Sequence, residues 1–91
     1  MMILQDPMTD AVKVPGSHFC NPEWKPVNIK NNSLSKYLTV TVEENSNNSK
    51  TTKVFERLAP QEQRELGCEG CGWTTTGQLC VGYKILAAVY V

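Results

Sequence analysis

The sequence predicts a small all-β domain, an antiparallel β-sandwich of about five to seven strands. Two observations carry that expectation. Apolar and polar residues alternate with a period of two along several stretches, most clearly Leu38, Val40 and Val42 against Tyr37, Thr39 and Thr41. Clusters of Asn, Ser, Pro and Gly separate these stretches, as turns between successive strands require. A third observation bounds the size. A chain of 91 residues makes one domain and buries little more than ~60% of the surface its unfolded form exposes, so cross-links would add materially to a thin stability margin.

Taken in order, residues 1–16 carry Pro7, Pro15 and Gly16 without a clear period. They predict a flexible N-terminal arm holding one short strand near Ala11–Val14, ahead of a single domain over residues 17–91. In HFCNPEWKP, Pro22 and Pro26 bar a helix, and Trp24 is expected to pack inward. Val27 and Ile29 alternate with Asn28 and Lys30, which predicts a strand with one wet face; its polar character suits a sheet edge open to another chain. KYLTVTVEE is the clearest strand, rich in the β-branched residues a pleated surface favours. The polar run NSNNSK then forms the loose tip of a hairpin whose second strand is TTKVFERL.

APQEQREL has two readings. Pro60 near a first turn and Gly67 as a stop suit a short helix. The preferred reading makes LAP a corner and QRELGC an edge strand, because only Leu58 and Leu66 could be buried at helical spacing. RLAPQEQREL also resembles the L-x-P-G-E corner of bacterial immunoglobulin-like domains, with Gln61 where glycine is usual. That resemblance implies an immunoglobulin-like sandwich and no particular function. The final run, YKILAAVYV, is apolar on both faces, as a central strand covered on both sides would be.

Composition excludes several function classes. Apolar residues make up 41% of the chain and charged residues 20%, enough for a packed core. Nine basic side chains balance nine acidic ones, so no net field draws in nucleic acid or an anionic membrane. The longest apolar stretch, Ile85–Val91, is far short of the ~20 residues that cross a bilayer. No secretory leader is legible in residues 1–14, where Met2–Leu4 is the only apolar stretch. Glu43, Glu44, Glu62, Glu65 and Glu69 lack the apolar surroundings that would raise a carboxyl pKa for acid–base work, and no glycine cluster precedes a phosphate-loop lysine.

The chemistry concentrates in GCEGCGWTTTGQLC, residues 67–80. Cys68 and Cys71 have zinc-knuckle spacing and, with Cys80 and Cys20, or with a nitrogen of His18 among the donors, could supply a tetrahedral site; a second knuckle is absent. A thioredoxin-like use of the pair requires a following helix, which GWTTTGQL does not offer. An even cysteine count in a small chain favours two disulfides, and so an oxidising compartment, secreted or periplasmic. Four cysteines allow three pairings and the sequence alone does not choose among them; the favoured set joins Cys71 to Cys80, closing a short Gly-rich loop, and Cys20 to Cys68, tying the N-terminal arm to the sheet. Two sequons, at Asn31 and Asn47, could accept N-glycans.

Trp73, Thr74, Thr75 and Thr76 form the expected binding tip, a large aromatic among small residues in a clamped loop; the competing reading has Trp73 capping the open end of the core. The function expected is binding to a protein or glycan partner, with inhibition as a special case, and with no catalysis, no cofactor and no membrane span. The alternative is a cytosolic structural zinc adaptor built on Cys20, Cys68, Cys71 and Cys80.

Overall fold

The computed structural model describes residues 5–91. A four-residue helical turn, α1 (Pro7–Asp10), precedes six strands: β1 (Ala11–Pro15), β2 (Trp24–Asn31), β3 (Leu38–Ser46), β4 (Ser49–Leu58), β5 (Gln63–Thr74) and β6 (Gly77–Tyr90). All strand pairs are antiparallel and hydrogen-bond as one sheet in the order β1-β2-β5-β6-β3-β4. The chain is all-β, with a strand number inside the expected range.

The long hairpin of β5 and β6 organises this sheet. The two strands pair only near their turn, from Gly70 opposite Val81 to Thr74 opposite Gly77. Beyond that they part: the lower leg of β5 carries β2 and β1, and the leg of β6 carries β3 and β4. The core fills the space between the legs. Ala11, Ile29 and Leu66 come from one side, and Leu38, Val40, Val42, Leu58 and Tyr83 from the other. The sandwich-like body thus arises from one sheet folded over itself. At the far end of the legs, the Tyr90 hydroxyl donates to the Asp10 carboxylate at 2.5 Å and closes α1 against β6.

Several strand positions differ from expectation for one reason. β2 lies between β1 and β5, and β5 between β2 and β6, so neither polar strand is an edge; the edges are β1 and β4. Alternation along a strand reports how many faces are buried, not how many neighbours bond its backbone. β6 is covered on one face only, and Leu86, Ala87 and Val89 remain exposed on it. The hairpin tip is tighter than expected, with Asn47 and Asn48 alone joining Ser46 to Ser49.

The corner at Ala59–Glu62 is a turn and not a helix. The Glu62 N–H donates to the Ala59 carbonyl at 2.9 Å, and the Glu62 carboxylate returns an acceptor to the Ala59 N–H at 2.7 Å. Gln61 has φ of 67°, a left-handed conformation that costs a non-glycine residue about 1–2 kcal/mol. Its side chain offsets that cost by donating to the carbonyls of Asn32 (3.0 Å) and Ser33 (3.2 Å). Gln61→Ala keeps the strain and loses both bonds, so stability should fall by about 1–2 kcal/mol. Gln61→Gly loses the same bonds but relieves the strain, and urea unfolding should place it nearer the wild type. An alanine variant at least as stable as the glycine variant would overturn this account of the corner.

Candidate functional site

The cysteines form two disulfides, Cys20–Cys68 and Cys71–Cys80, and no described cysteine is free. The zinc arrangement of all four cysteines is not assembled. An odd separation of three along β5 turns Cys68 and Cys71 to opposite faces, so they cannot share one ion. Cys71 and Cys80 stand directly opposite each other in the β5–β6 ladder, with Cα atoms 4.0 Å apart. Their bond clamps the hairpin three positions before Thr74.

Past the clamp, Thr75 and Thr76 make the turn. The Thr74 hydroxyl donates to the Gly77 carbonyl (2.8 Å) and accepts from the Thr76 N–H (3.3 Å), closing the loop on itself. Gly77 has φ of 126°, a conformation that side-chain-bearing residues avoid. Trp73 is 77% exposed, so it does not cap the core. Its backbone N–H donates to the Glu23 carboxylate at 3.3 Å, which moors the hairpin to the segment entering β2. Trp24 packs across Gly72, where a Cβ would lie 2.6 Å from the indole Nε1. Gly72 is therefore required by the approach of Trp24.

Two segments distant in sequence meet at this end of the molecule. The Asn47 side chain grips the backbone of β6: its Oδ1 accepts from the Cys80 N–H at 2.9 Å, and its Nδ2 donates to the Gln78 carbonyl at 3.0 Å. The hairpin tip of β3–β4 therefore braces the strand that carries Cys80, beside the Trp73 tip. The sequon at Asn31 is different. Asn31 is fully buried, and its side chain is occupied by four hydrogen bonds, so the folded chain has no room for a glycan there.

Two adjoining hollows lie beside the start of the β5 leg, one against β1 and β2 and the other reaching across to β6. One, of about 280 Å³, is lined by Lys13, Val14, Pro15, Lys25, Pro26, Val27 and Glu69. The other, of about 370 Å³, shares Lys25 and Glu69 with it and adds Glu23, Gly70, Val81 and Gly82. Burial raises the Glu69 pKa, but the Lys13 ammonium and the Tyr83 N–H that it accepts outweigh this and hold it below the usual carboxylate range. Glu44 is also held low, first by the Tyr83 hydroxyl that donates to it at 2.7 Å, against burial and with help from Lys53. The same burial, with the Glu44 charge, pushes the Tyr83 phenol well above its ordinary value. Both carboxylates are thus fixed as anions in a structural network. The sequence carries no sign of these hollows, because Lys25 faces Glu69 only through the β2–β5 register.

One further cluster forms around the other disulfide. His18, Cys20 and Cys68 place their ligand-type atoms within 4.8 Å of one another. His18 Nε2 lies 2.7 Å from the Gly67 carbonyl, and Nδ1 lies 3.7 Å from the Glu65 carboxylate.

No family model matches the chain, and neither a curated protein nor a solved structure matches it. What fold and site define together is a small all-β module stapled by two disulfides.

Proposed function

We propose that this chain is a secreted or periplasmic binding module that engages a protein or glycan partner through the Trp73 end of the β5–β6 hairpin. The observation that carries the reading is Trp73 itself. A large aromatic side chain is held almost fully in solvent on a hairpin tightened by Cys71–Cys80, moored by Glu23 and braced by Asn47. A cross-linked loop of this kind has already lost the conformational freedom that association would otherwise remove, and exposed aromatic anchors contribute disproportionately to interfaces. Thr74, Thr75 and Thr76 supply adaptable hydroxyls beside it. Two disulfides are compatible with an oxidising compartment, which supports the extracellular or periplasmic assignment. An inhibitor presenting this tip to an active site is a special case. Catalysis is not part of the proposal, since the carboxylates of Glu44 and Glu69, which burial would otherwise raise, are held low by their partners. Balanced charge speaks against a nucleic-acid partner.

The test is Trp73→Ala. Because the ring is exposed, unfolding stability should stay within about 0.5 kcal/mol of the wild type. Immobilised wild-type and variant protein would be compared against a glycan panel, a panel of extracellular proteins and a set of proteases. Ligands bound or enzymes inhibited by the wild type should be lost in the variant. Binding that survives the substitution unchanged, or a wild type that binds nothing in these panels, would defeat the proposal.

A further inference from the structure

The surroundings of the Cys20–Cys68 disulfide match a metal site more closely than a bare staple requires. We infer that, once this disulfide is reduced, His18, Cys20, Cys68 and Glu65 bind one zinc-class divalent ion, so that a metal cross-link replaces the covalent one at the same place in the fold. This inference is independent of the binding role assigned to Trp73.

The argument starts from His18. The Gly67 carbonyl, 2.7 Å from Nε2, can only accept, so Nε2 is the nitrogen that donates to it, and Nδ1 is the one available to a metal ion. A backbone carbonyl that fixes the remote ring nitrogen is the usual outer partner of a metal-ligating histidine. The imidazole is mostly buried, with 16% of its side chain exposed, and so is held in place against β5. A ring nitrogen of His18 and the sulfurs of Cys20 and Cys68 fall within the 4.8 Å span quoted above, close enough for a small turn of the side chains to set them on the edges of a tetrahedron built on metal–sulfur distances of ~2.3 Å and metal–nitrogen distances of ~2.0 Å. Glu65 lies outside that span, but the irregularity opposite Val27 and Asn28 puts it on the same face of β5 as Cys68, and its exposed carboxylate, 3.7 Å from Nδ1, is placed to swing in from the solvent side as the fourth ligand. Two thiolates, one imidazole and one carboxylate select zinc or a similar borderline ion over calcium or magnesium.

The chemistry balances with a dithiol reductant. The dithiol delivers two electrons and two protons to the Cys20–Cys68 bond and leaves as its own cyclic disulfide. The ion then displaces both thiol protons to solvent as the two thiolates coordinate it. The sulfurs must separate from bonding distance to the edge of the coordination tetrahedron. The Cα atoms, 6.0 Å apart, allow side-chain rotation to do this. Cys71 and Cys80 take no part, since they face away and pair with each other.

The experiment uses the full chain, kept anaerobic and reduced with a phosphine, which supplies the same two electrons without a chelating thiol. Co²⁺ is titrated while thiolate-to-cobalt absorbance is recorded, and native mass spectrometry follows Zn²⁺. One ion per reduced chain is expected, and none on the oxidised protein. His18→Ala should weaken binding by at least about tenfold, and Glu65→Gln should weaken it measurably. A Cys71→Ser/Cys80→Ser variant, with only one disulfide left to reduce, should bind as well as the wild type. At equal concentration, zinc should raise the thermal midpoint of the reduced wild type and raise that of reduced His18→Ala by less. Failure of the reduced wild type to take up an ion, indifference to His18→Ala, or loss of binding in the Cys71/Cys80 variant would each overturn the site. An unchanged affinity in Glu65→Gln would remove Glu65 from the ligand set.

Discussion

Asn31→Ala should be among the most damaging single substitutions in this chain, with a loss of about 3 kcal/mol or more. The reason is a concentration of hydrogen bonds at one fully buried side chain. Nδ2 donates to the carbonyls of Lys36 (2.7 Å), Leu58 (2.9 Å) and Ala59 (3.2 Å), while Oδ1 accepts from the Ser33 N–H at 2.9 Å. The backbone of the same residue donates to Glu62 and accepts from Gln61. Asn31 thus ties the end of β2 to the loop before β3 and to the corner after β4. Alanine would strand the Leu58 carbonyl and the Ser33 N–H, both buried, at about 1–3 kcal/mol each when nothing replaces the partner, and would unpair the part-buried carbonyls of Lys36 and Ala59 as well. Asn31→Asp separates shape from hydrogen bonding, because it is nearly isosteric but turns an anionic acceptor toward three carbonyls; it should be at least as destabilising at neutral pH. For a domain of this size the melting temperature of either variant should drop by roughly 12 °C or more. A drop of a few degrees in both would show that the hub contributes little.

The second large effect belongs to the Cys20–Cys68 bond. Its half-cystines are 48 residues apart, and in the chain-entropy account its closure removes about 4 kcal/mol of denatured-state freedom. Cys71–Cys80 spans 9 residues within one hairpin and by the same account contributes about 2.5 kcal/mol. Cys20→Ser/Cys68→Ser should therefore be the less stable of the two double variants by more than 1 kcal/mol in denaturant unfolding. Its effect should also be local. Residues 16–23 have no ladder of their own beyond the Gly16 N–H to the Pro26 carbonyl, so freeing Cys20 should release them to rapid amide exchange. The reverse order of stabilities would mean that the hairpin clamp, and not the long-range staple, holds the fold.

The all-β class, the β3–β4 hairpin and the presence of two disulfides were legible because each rests on local or compositional evidence, whereas the sequence favoured one of three cysteine pairings without fixing it, since Cys20 and Cys68 lie 48 residues apart. Alternation and β-branched residues mark β3, Asn47–Asn48 marks a turn, and four cysteines in a small chain mark cross-links. The exposed position of Trp73 was legible only as one of two readings. Neighbour relations beyond the β3–β4 hairpin were not legible. VNIKNN and QRELGC were expected at edges because they are polar, yet they lie inside the sheet, since backbone ladders are indifferent to side-chain polarity. YKILAAVYV was expected to be covered twice, yet its strand has one bare face. An apolar run states what could be buried, and only the number of layers decides what is.

The candidate sites divide in the same way. The sequence by itself determined the residue types, the strand-forming stretches and the clamped Gly-rich loop, because propensity, alternation and turn chemistry act over a few residues. Only the tertiary structure decided that Asn47 braces Cys80, that Lys25 lies across from Glu69, that Asn31 is a buried hub and not a glycan acceptor, and that His18 stands beside Cys20 and Cys68. Each of those pairings is set by strand register and by the folding of one sheet over its own core. Register depends on the sum of all contacts along two strands, so no single stretch of sequence contains it.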